Sequence, residues 1–460
     1  MKIRFLGAAR EVTGSCFHLS LDDVELLVDC GMHQGKNGEE RNETAFEFNP
    51  ARIDALFLTH AHIDHSGLVP RLVRQGFKGR IITTPATADL VGIMLRDSAH
   101  IQEKDAEWLT RKSRRKGKEK LFEPLYTMSD VEAMIPLFSR KDYGETGKMN
   151  RGIKYRFTDA GHILGSGTLE LWYKVDRGEK KIVFSGDIGK KGNPIINDPR
   201  HTTQTDYVVV ESTYGNRLHK GMEESIEELR DAIESTFKKG GNVLIPSFAV
   251  GRTQDLLYIL NKLVRERKLR PLNVYVDSPL AEEATRIYLS YPEYYDEEAR
   301  KLFQLKDGDA VNLHFTKNVE DSQRINKIRS GAVIIAGSGM CEGGRIRHHL
   351  KHNLWRSECS IIFVGFQAAG TLGRQIVDGA KTVHFLGEDF AVKARVCTIG
   401  GFSAHGDQGE LLEWLSTFST SPEVFIVHGE ETSALAFEKA VKEKLGLVTH
   451  VPHLGEAWEI

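Results

Sequence analysis

The stretch "ALFLTHAHIDHSGLVP", residues 55–70, places three histidines and an aspartate within six residues directly after an apolar run. Alternate side chains of an extended segment share one face, so His60 and His62 project to the same side as the chain leaves the run. Asp64 and His65 follow as it turns. Imidazole nitrogens and carboxylate oxygens are the donors zinc takes at about 2.0–2.2 Å in a roughly tetrahedral shell, and hydrolytic sites keep one position open for water. One short loop thus offers donors for two cations, but four donors cannot close two shells. Other strand ends must supply the rest, and the chain has them: His162 in "TDAGHILGSG", Asp187 in "IVFSGDIG" and His428 in "VFIVHGE". Each sits at a strand end or a Gly-flanked turn, where the backbone can approach closely.

The rest of the pattern is an alternation of short apolar runs with longer amphipathic segments. After residue 205 the runs "DYVVVEST", "GNVLIPSF", "LNVYVDSP", "GAVIIAGSG", "CSIIFVGF" and "EVFIVHGE" end in polar or Gly-rich turns, and helical patterns such as "RTQDLLYILNKLVRER" follow most of them. They predict βα units around a largely parallel sheet. Before residue 205, "CFHLSLDDVELLVDCG" and "GTLELWYKVDRGEKKIVFSGD" read as hairpins, which predicts a more antiparallel sheet there. No solenoid or propeller period is present.

Composition narrows the class. A formal net charge of -2 gives no bulk attraction to polyanions, so any nucleic-acid contact must come from local basic patches. The run "RKSRRKGKEK", residues 111–120, is one such patch, and a basic helix face of this kind is usually solvated. The start "MKIRFLGAAR" has no apolar signal region and no run of eighteen apolar residues occurs, so neither secretion nor membrane insertion is expected. Five scattered cysteines, Cys16, Cys30, Cys341, Cys359 and Cys397, form no CxxC pair and suit free thiols in a reducing cytoplasm.

HxHxDH, with Asp29 upstream in "LLVDCG", then "AGHILGSG" and "FSGDIG", resembles the metallo-β-lactamase fold. The later pieces resemble its β-CASP nuclease branch: Glu211 in "VVVESTYG", His405 in "GGFSAHGD", and the final His428. That family includes the endonuclease subunit of the mRNA 3′-end cleavage factor and its prokaryotic relatives. The resemblance implies an α/β chain: an αββα sandwich, residues 1–207 and 394–460, with a β-CASP domain of largely parallel sheet inserted at 208–393. It also implies two zinc ions per chain. His60, His62 and His162 would hold one, Asp64, His65 and His428 the other, and Asp187 would bridge them. Asp29 would stay off the metal and orient the ligand loop by hydrogen bonding.

Such a metal pair activates water and offsets charge on a phosphate, so phosphodiester hydrolysis is the implied reaction, leaving 5′-phosphate and 3′-hydroxyl ends. A ribose oxygen is a poor leaving group without a proton. His405 is the candidate general acid, oriented and charged by Glu211. His405, Glu211, Asp64 and Asp187 are therefore the implied catalytic residues. Within the family a histidine at the position of His428 accompanies RNA-processing members, whereas DNA-repair members carry valine. Single-stranded RNA is the expected partner, since a strand would pass between two domains to reach buried metals. Endonuclease action is favoured over 5′-exonuclease action, and self-association as a homodimer is allowed. No appended RNA-binding module is expected at either end.

Three junctions, "PSFAVGRTQDLL", "AGSGMCEGGRIRHHLKH" and "GFQAAGTLGRQ", set small residues at helix starts, where unpaired N–H groups favour phosphate oxygens. Ser247, Arg252, Ser338 and Arg374 are the candidate substrate contacts. The second junction is no dinucleotide site, because Glu342 stands where a third glycine would be needed. Competing readings are a glyoxalase- or lactonase-like hydrolase, which needs neither the insertion nor the Glu211 and His405 pair; a DNA-directed nuclease; a flavin-linked di-iron enzyme, which would want a carboxylate at His62; and a catalytically silent RNA-binding scaffold, which would have lost ligands.

Overall fold

The alternating pattern of "CFHLSLDDVELLVDC" folds into an antiparallel hairpin of Phe17–Leu21 with Val24–Val28, Phe17 opposite Val28. It lies inside a seven-stranded sheet in the order Ala457–Glu459, Lys2–Phe5, Phe17–Leu21, Val24–Val28, Ala55–Phe57, Arg80–Thr83, Phe138–Arg140. A second seven-stranded sheet runs Thr449–His450, Glu423–Val427, Tyr207–Glu211, Gly178–Phe184, Gly167–Val175, Lys154–Asp159, Gly147–Lys148. The computed structural model describes all 460 residues except 36, 177, 305–309, 366 and 369.

Both hairpins predicted from sequence form, with residue 177 of the second lying outside the described residues. The N-terminal part is more antiparallel than the later sheet, as expected, yet each of these sheets is also half parallel. The reason is topological. Ala55–Phe57, Arg80–Thr83 and Phe138–Arg140 are joined by helices, among them Val69–Arg74 and Pro85–Arg115, and helical crossovers return a strand parallel to its neighbour.

Alternate residues of the two sheets meet in one apolar layer. Phe5, Leu19, Leu26 and Phe57 come from the first, and Phe157, Leu171, Phe184 and Phe425 from the second. The intervening residues Val183, Val208, Val210, Val424 and Ile426 bury against the helices Gln408–Ser416 and Glu431–Leu445 through Leu411, Trp414, Leu415 and Phe437. On the first sheet Leu27, Leu56 and Ile81 are likewise fully buried on the outer side. This is an αββα sandwich, each strand buried on both faces where it is parallel.

A second unit holds a six-stranded sheet, Asn312–Phe315, Asn273–Asp277, Ala332–Ala336, Val243–Pro246, Ser360–Phe363, Arg395–Thr398, parallel at every pairing. Leu244, Ile334 and Ile361 pack on Ile346, Leu350, Leu372 and Ile376, while Val243, Ile245, Val276 and Ile335 are buried on the opposite face. Four of the six apolar runs read after residue 205 lie here. "DYVVVEST" and "EVFIVHGE" instead pair with each other in the sandwich.

The sandwich unit comprises Met1–Lys191, Asp198–Leu218 and His405–Ile460, and the other Gly192–Asn197 and His219–Ala404. Glu211 and His405 therefore belong to the sandwich unit. Among the described residues no helix is long and apolar enough to cross a membrane. All five cysteines are free, four of them buried.

Candidate metal centre

Three adjacent parallel strands bring distant residues together. Gly178–Phe184, Tyr207–Glu211 and Glu423–Val427 lie side by side, with Phe184 opposite Val209 and Glu211 opposite Val427. Asp187 follows the first, Glu211 ends the second and His428 follows the third. On the other sheet of the sandwich Val28 lies opposite Phe57, so Asp29 and the loop bearing His60 leave neighbouring strands at matching positions. Gly31 lets that loop pack. A Cβ there would lie 1.7 Å from the Asp64 carbonyl oxygen.

The seven donors fall into two sets that share one carboxylate. In the first, His162 Nε2 lies 3.1 Å from His62 Nδ1, and Asp187 Oδ2 lies 3.3 Å from His60 Nε2 and 3.5 Å from His162 Nε2. In the second, His65 Nε2 lies 3.2 Å from His428 Nε2 and 3.3 Å from Asp187 Oδ1, and His428 Nε2 lies 3.5 Å from Asp64 Oδ2. Four donors at bonds of about 2.0–2.1 Å in a tetrahedral shell stand about 3.3 Å from one another. The observed spacings bracket that value, and Asp187 gives one oxygen to each set.

Hydrogen bonding does not account for this convergence. His60 Nε2 and Asp187 Oδ1 are buried and make no hydrogen bond among the described residues, although each has a polar neighbour at 3.3 Å. Charge leads to the same conclusion. Asp29, Asp64, Asp187 and Glu211 form ion pairs only with histidines among the described residues, and three of the four are buried. Carboxylates gathered among imidazoles without a Lys or Arg partner favour added cations. These residues fit a pair of divalent ions.

Protonation of the first histidine set suits the same role. Burial, aided by neighbouring histidines, drives His60 down to about 3 and His62 to about 4, and holds His162 well below the ordinary value. All three are then neutral with lone pairs to offer. Burial works against ionisation of Asp64 and Asp187, yet the surrounding histidines hold both carboxyls below the usual range. His65 is pushed well above its ordinary value, because Asp187 and Asp29 outweigh its burial.

A shell of hydrogen bonds fixes these rings. Asp29 Oδ2 accepts from His65 Nδ1 at 2.8 Å and from Thr59 Oγ1 at 2.8 Å, while Oδ1 accepts from the Thr59 amide at 2.8 Å. Thr213 Oγ1 lies 3.1 Å from His428 Nδ1, and Ser15 Oγ lies 3.4 Å from His65 Nε2. Asp29 and His428 both take positive φ, 60° and 47°, a conformation side chains seldom adopt. The His428 amide is held by the Ala8 carbonyl at 2.7 Å. Thr59, Thr213, Ser15 and Ala8 carry no sequence signal for these roles.

Both oxygens of Glu211 lie 3.1 Å from His405 Nδ1, and Glu211 also accepts from the Ile188 amide at 2.7 Å. His405 Nδ1 is 3.9 Å from Asp187 Oδ2. Burial pulls His405 down, but Glu211 and Asp187 outweigh it and raise it to about 9. The helix Gln408–Ser416 is capped by Asp407 with Glu410, so His405 is not its capping residue.

The four candidate substrate contacts all lie in the second unit, near the ends of the parallel strands Ala332–Ala336, Val243–Pro246 and Ser360–Phe363. Ser247 is buried, and its Oγ accepts from Thr253 Oγ1. Arg252 starts the helix Arg252–Arg265 and pairs with Asp255 at 3.0 Å. Ser338 Oγ accepts from the Gly343 amide, and Arg374 pairs with Asp378 at 2.8 Å. Positions 366 and 369 of the third junction lie outside the described residues. Within the second junction His349 is buried against Asp277, and Arg345 is paired with the same carboxylate.

Three family models match the chain. The metallo-beta-lactamase superfamily covers residues 10–247, the Beta-Casp domain 253–376, and the Zn-dependent metallo-hydrolase RNA specificity domain 389–452. Ribonuclease TTHA0252 of Thermus thermophilus is 37% identical over 442 residues, 95% of either chain. Transcription termination factor FttA of Methanocaldococcus jannaschii is 33% identical over 98% of this chain and 70% of its own length. An RNase J-like protein of the same organism is 30% identical over 98% of both. A crystal structure of a protein of unknown function from Enterococcus faecalis V583 aligns over 99% of both chains with a TM-score of 0.57 at 12% identity, which shows a common fold. With these matches running along nearly its whole length, the chain belongs to the metallo-β-lactamase superfamily and, within it, to the β-CASP family.

Proposed function

We propose that the protein is a zinc-dependent ribonuclease of the cytoplasm that hydrolyses single-stranded RNA, cutting internally and leaving 5′-phosphate and 3′-hydroxyl ends. The observation that carries this reading is a carboxylate-held imidazole, His405 on Glu211, beside a donor cluster whose buried charge calls for cations. A small-molecule hydrolase has use for the cluster but none for an acid held against it.

His60, His62 and His162 with one oxygen of Asp187 would hold one zinc, and Asp64, His65 and His428 with the other oxygen the second. Bound there, zinc supplies Lewis acidity toward water and the scissile phosphate. The remaining work falls to side chains. Water adds to phosphorus, the P–O3′ bond breaks, and the departing ribose oxygen takes a proton from His405 Nε2 while Glu211 steadies Nδ1. The proton released by the water passes through Asp64, the cluster carboxylate with solvent exposure, 22% against 1% for Asp187. Asp29 keeps His65 in the required tautomer. Ser247, Arg252, Ser338 and Arg374 are proposed to meet the phosphate backbone, which requires Arg252 and Arg374 to exchange their present carboxylate partners for phosphate.

The test incubates the purified protein, reconstituted with zinc, with end-labelled linear RNA, circular RNA and matching DNA. Cut circles establish internal cleavage. Intact circles with degraded 5′-phosphorylated linear RNA would mean an exonuclease, and preferential loss of DNA would overturn the substrate assignment.

A further inference from the structure

The basic run "RKSRRKGKEK" has no part in the chemistry above. Seven of its ten residues are Lys or Arg against one Glu, in a chain of net charge -2, and all but Ser113 are exposed. It closes the helix Pro85–Arg115, where Ala106 and Ser113 are the only buried residues beyond Ala99. The chain then folds back along the helix. Ser113 Oγ donates to the Lys118 carbonyl at 3.2 Å, the Phe122 amide to Thr110 Oγ1 at 3.0 Å, and the Leu125 amide to Gln102 Oε1 at 3.1 Å. Lys118 and Lys120 are thereby returned to the same helix end.

Large apolar side chains stand among these cations. Trp108 is 54% exposed and Leu121 64%. Lys112 Nζ lies 4.4 Å from the Trp108 ring centroid, and Lys120 Nζ 4.6 Å from that of Phe122. Arg111 is engaged by Glu107 at 3.2 Å, whereas Arg114, Arg115, Lys116 and Lys118 pair with no carboxylate among the described residues. A solvated helix end has no use for an exposed indole and an exposed leucine among unpaired cations. A single nucleic-acid strand uses both, cations along its phosphates and flat faces under its bases.

The other end of this helix adjoins the candidate centre. Thr84, its N-cap, donates to the Gly165 carbonyl at 2.6 Å, as Thr87 does at 2.8 Å, in the turn that carries His162. From Pro85 to Trp108 the helix rises about 35 Å at about 1.5 Å per residue. That length matches on the order of ten nucleotides at about 3.4 Å each.

We infer that Trp108 and the basic turn that follows it form a secondary binding surface for single-stranded RNA, engaging the strand on the order of ten nucleotides from the bond that is cut. The inference rests on the ribonuclease reading for the identity of the polymer, and binding measured without cleavage separates the two. Full-length protein is compared with a variant carrying Lys112→Gln, Arg115→Gln, Lys118→Gln and Lys120→Gln, and with Trp108→Ala. Binding of 30-nucleotide and 6-nucleotide unstructured RNAs is measured without divalent metal across a salt series.

For the 30-mer, the fourfold variant should flatten the slope of log affinity against log salt by up to about three and weaken binding about tenfold or more. Trp108→Ala should weaken it about fivefold or more. The preference for the longer RNA should collapse in both. Equal weakening at both lengths, or none, overturns the inference. So does a change in sedimentation with RNA binding intact, which would make the surface a contact between copies. Failure of the parent protein to bind any RNA would instead defeat the ribonuclease reading itself.

Discussion

Glu211 grips His405 with both carboxylate oxygens, each 3.1 Å from Nδ1, and the same carboxylate takes the amide hydrogen of Ile188, the residue after Asp187. One side chain therefore positions the proposed acid and steadies the loop that presents the shared carboxylate. If His405 donates the proton to the leaving oxygen, His405→Ala should lower turnover on RNA about 10² to 10⁴-fold while zinc content stays at the parent level. Glu211→Gln should lose less turnover, because the ring remains but its charged partner is gone. Elemental analysis alongside a ribonuclease assay checks both, and undiminished turnover in His405→Ala removes the residue from the role.

Among the described residues Asp187 alone sets one oxygen against each donor set. Asp187→Ala should thus deplete both metals together, whereas His162→Ala and His428→Ala should each deplete one. Chelation of the parent protein should lower its melting temperature, since an ion that binds only the folded chain stabilises it by mass action. Metal content of the three variants, measured after identical reconstitution, decides. Full occupancy in Asp187→Ala would rule out a bridging role.

Asp29 meets no metal set yet accepts three hydrogen bonds, from His65 Nδ1 and twice from Thr59. Asp29→Asn keeps the size but can place an N–H against the N–H of His65. Such outer partners are typically worth about 10 to 100-fold in metal affinity. Competition with a chelator of known affinity should show a loss of that order in a protein that remains folded. Unchanged affinity would reduce Asp29 to a turn residue.

The donor set was legible because four of its seven members are packed into six residues and the others end apolar runs or sit in Gly-flanked turns. Chemistry that needs several donors on one short loop leaves a mark that survives without any structure. The supports left none. Thr59, Thr213 and Ser15 act through hydroxyls of very common residue types, and Ala8 through a carbonyl that any residue has. Sheet membership was legible only in part. Apolar runs followed by helical patterns predicted parallel strands, but nothing local tells "DYVVVEST" to pair with "EVFIVHGE" more than two hundred residues later rather than with the runs next to it. The proposed phosphate contacts expose the same limit: Gly-rich helix starts are easy to see, while the burial of Ser247 and the Asp255 partner of Arg252 are tertiary facts.

Asp277 shows that a charged cluster can serve the fold. Buried at the end of Asn273–Asp277, it accepts from Arg345 at 2.6 Å, His349 at 2.7 Å and Ser322 at 2.6 Å, and from Thr316. It thereby ties the loop after Ala332–Ala336, which carries Ser338, to its neighbours. Burial alone would raise its carboxyl, but the bonds from His349, Ser322, Thr316 and Arg345 more than reverse this and hold it well below the usual carboxylate range. Asp277→Asn removes the charge and leaves Arg345 and His349 facing an amide. Breaking a buried pair from one side costs about 3–5 kcal/mol, which corresponds to a melting temperature lower by roughly 10 °C. The sign of the pH effect follows from the direction of the shift. A depressed folded value makes the contribution complete above the ordinary aspartate value of about 3.9 and removes it as pH falls through the folded one. The parent should therefore lose stability more steeply than Asp277→Asn as pH is lowered from 5 toward 3. Parallel curves of melting temperature against pH for the two proteins would show that this carboxylate does not hold the strand ends together.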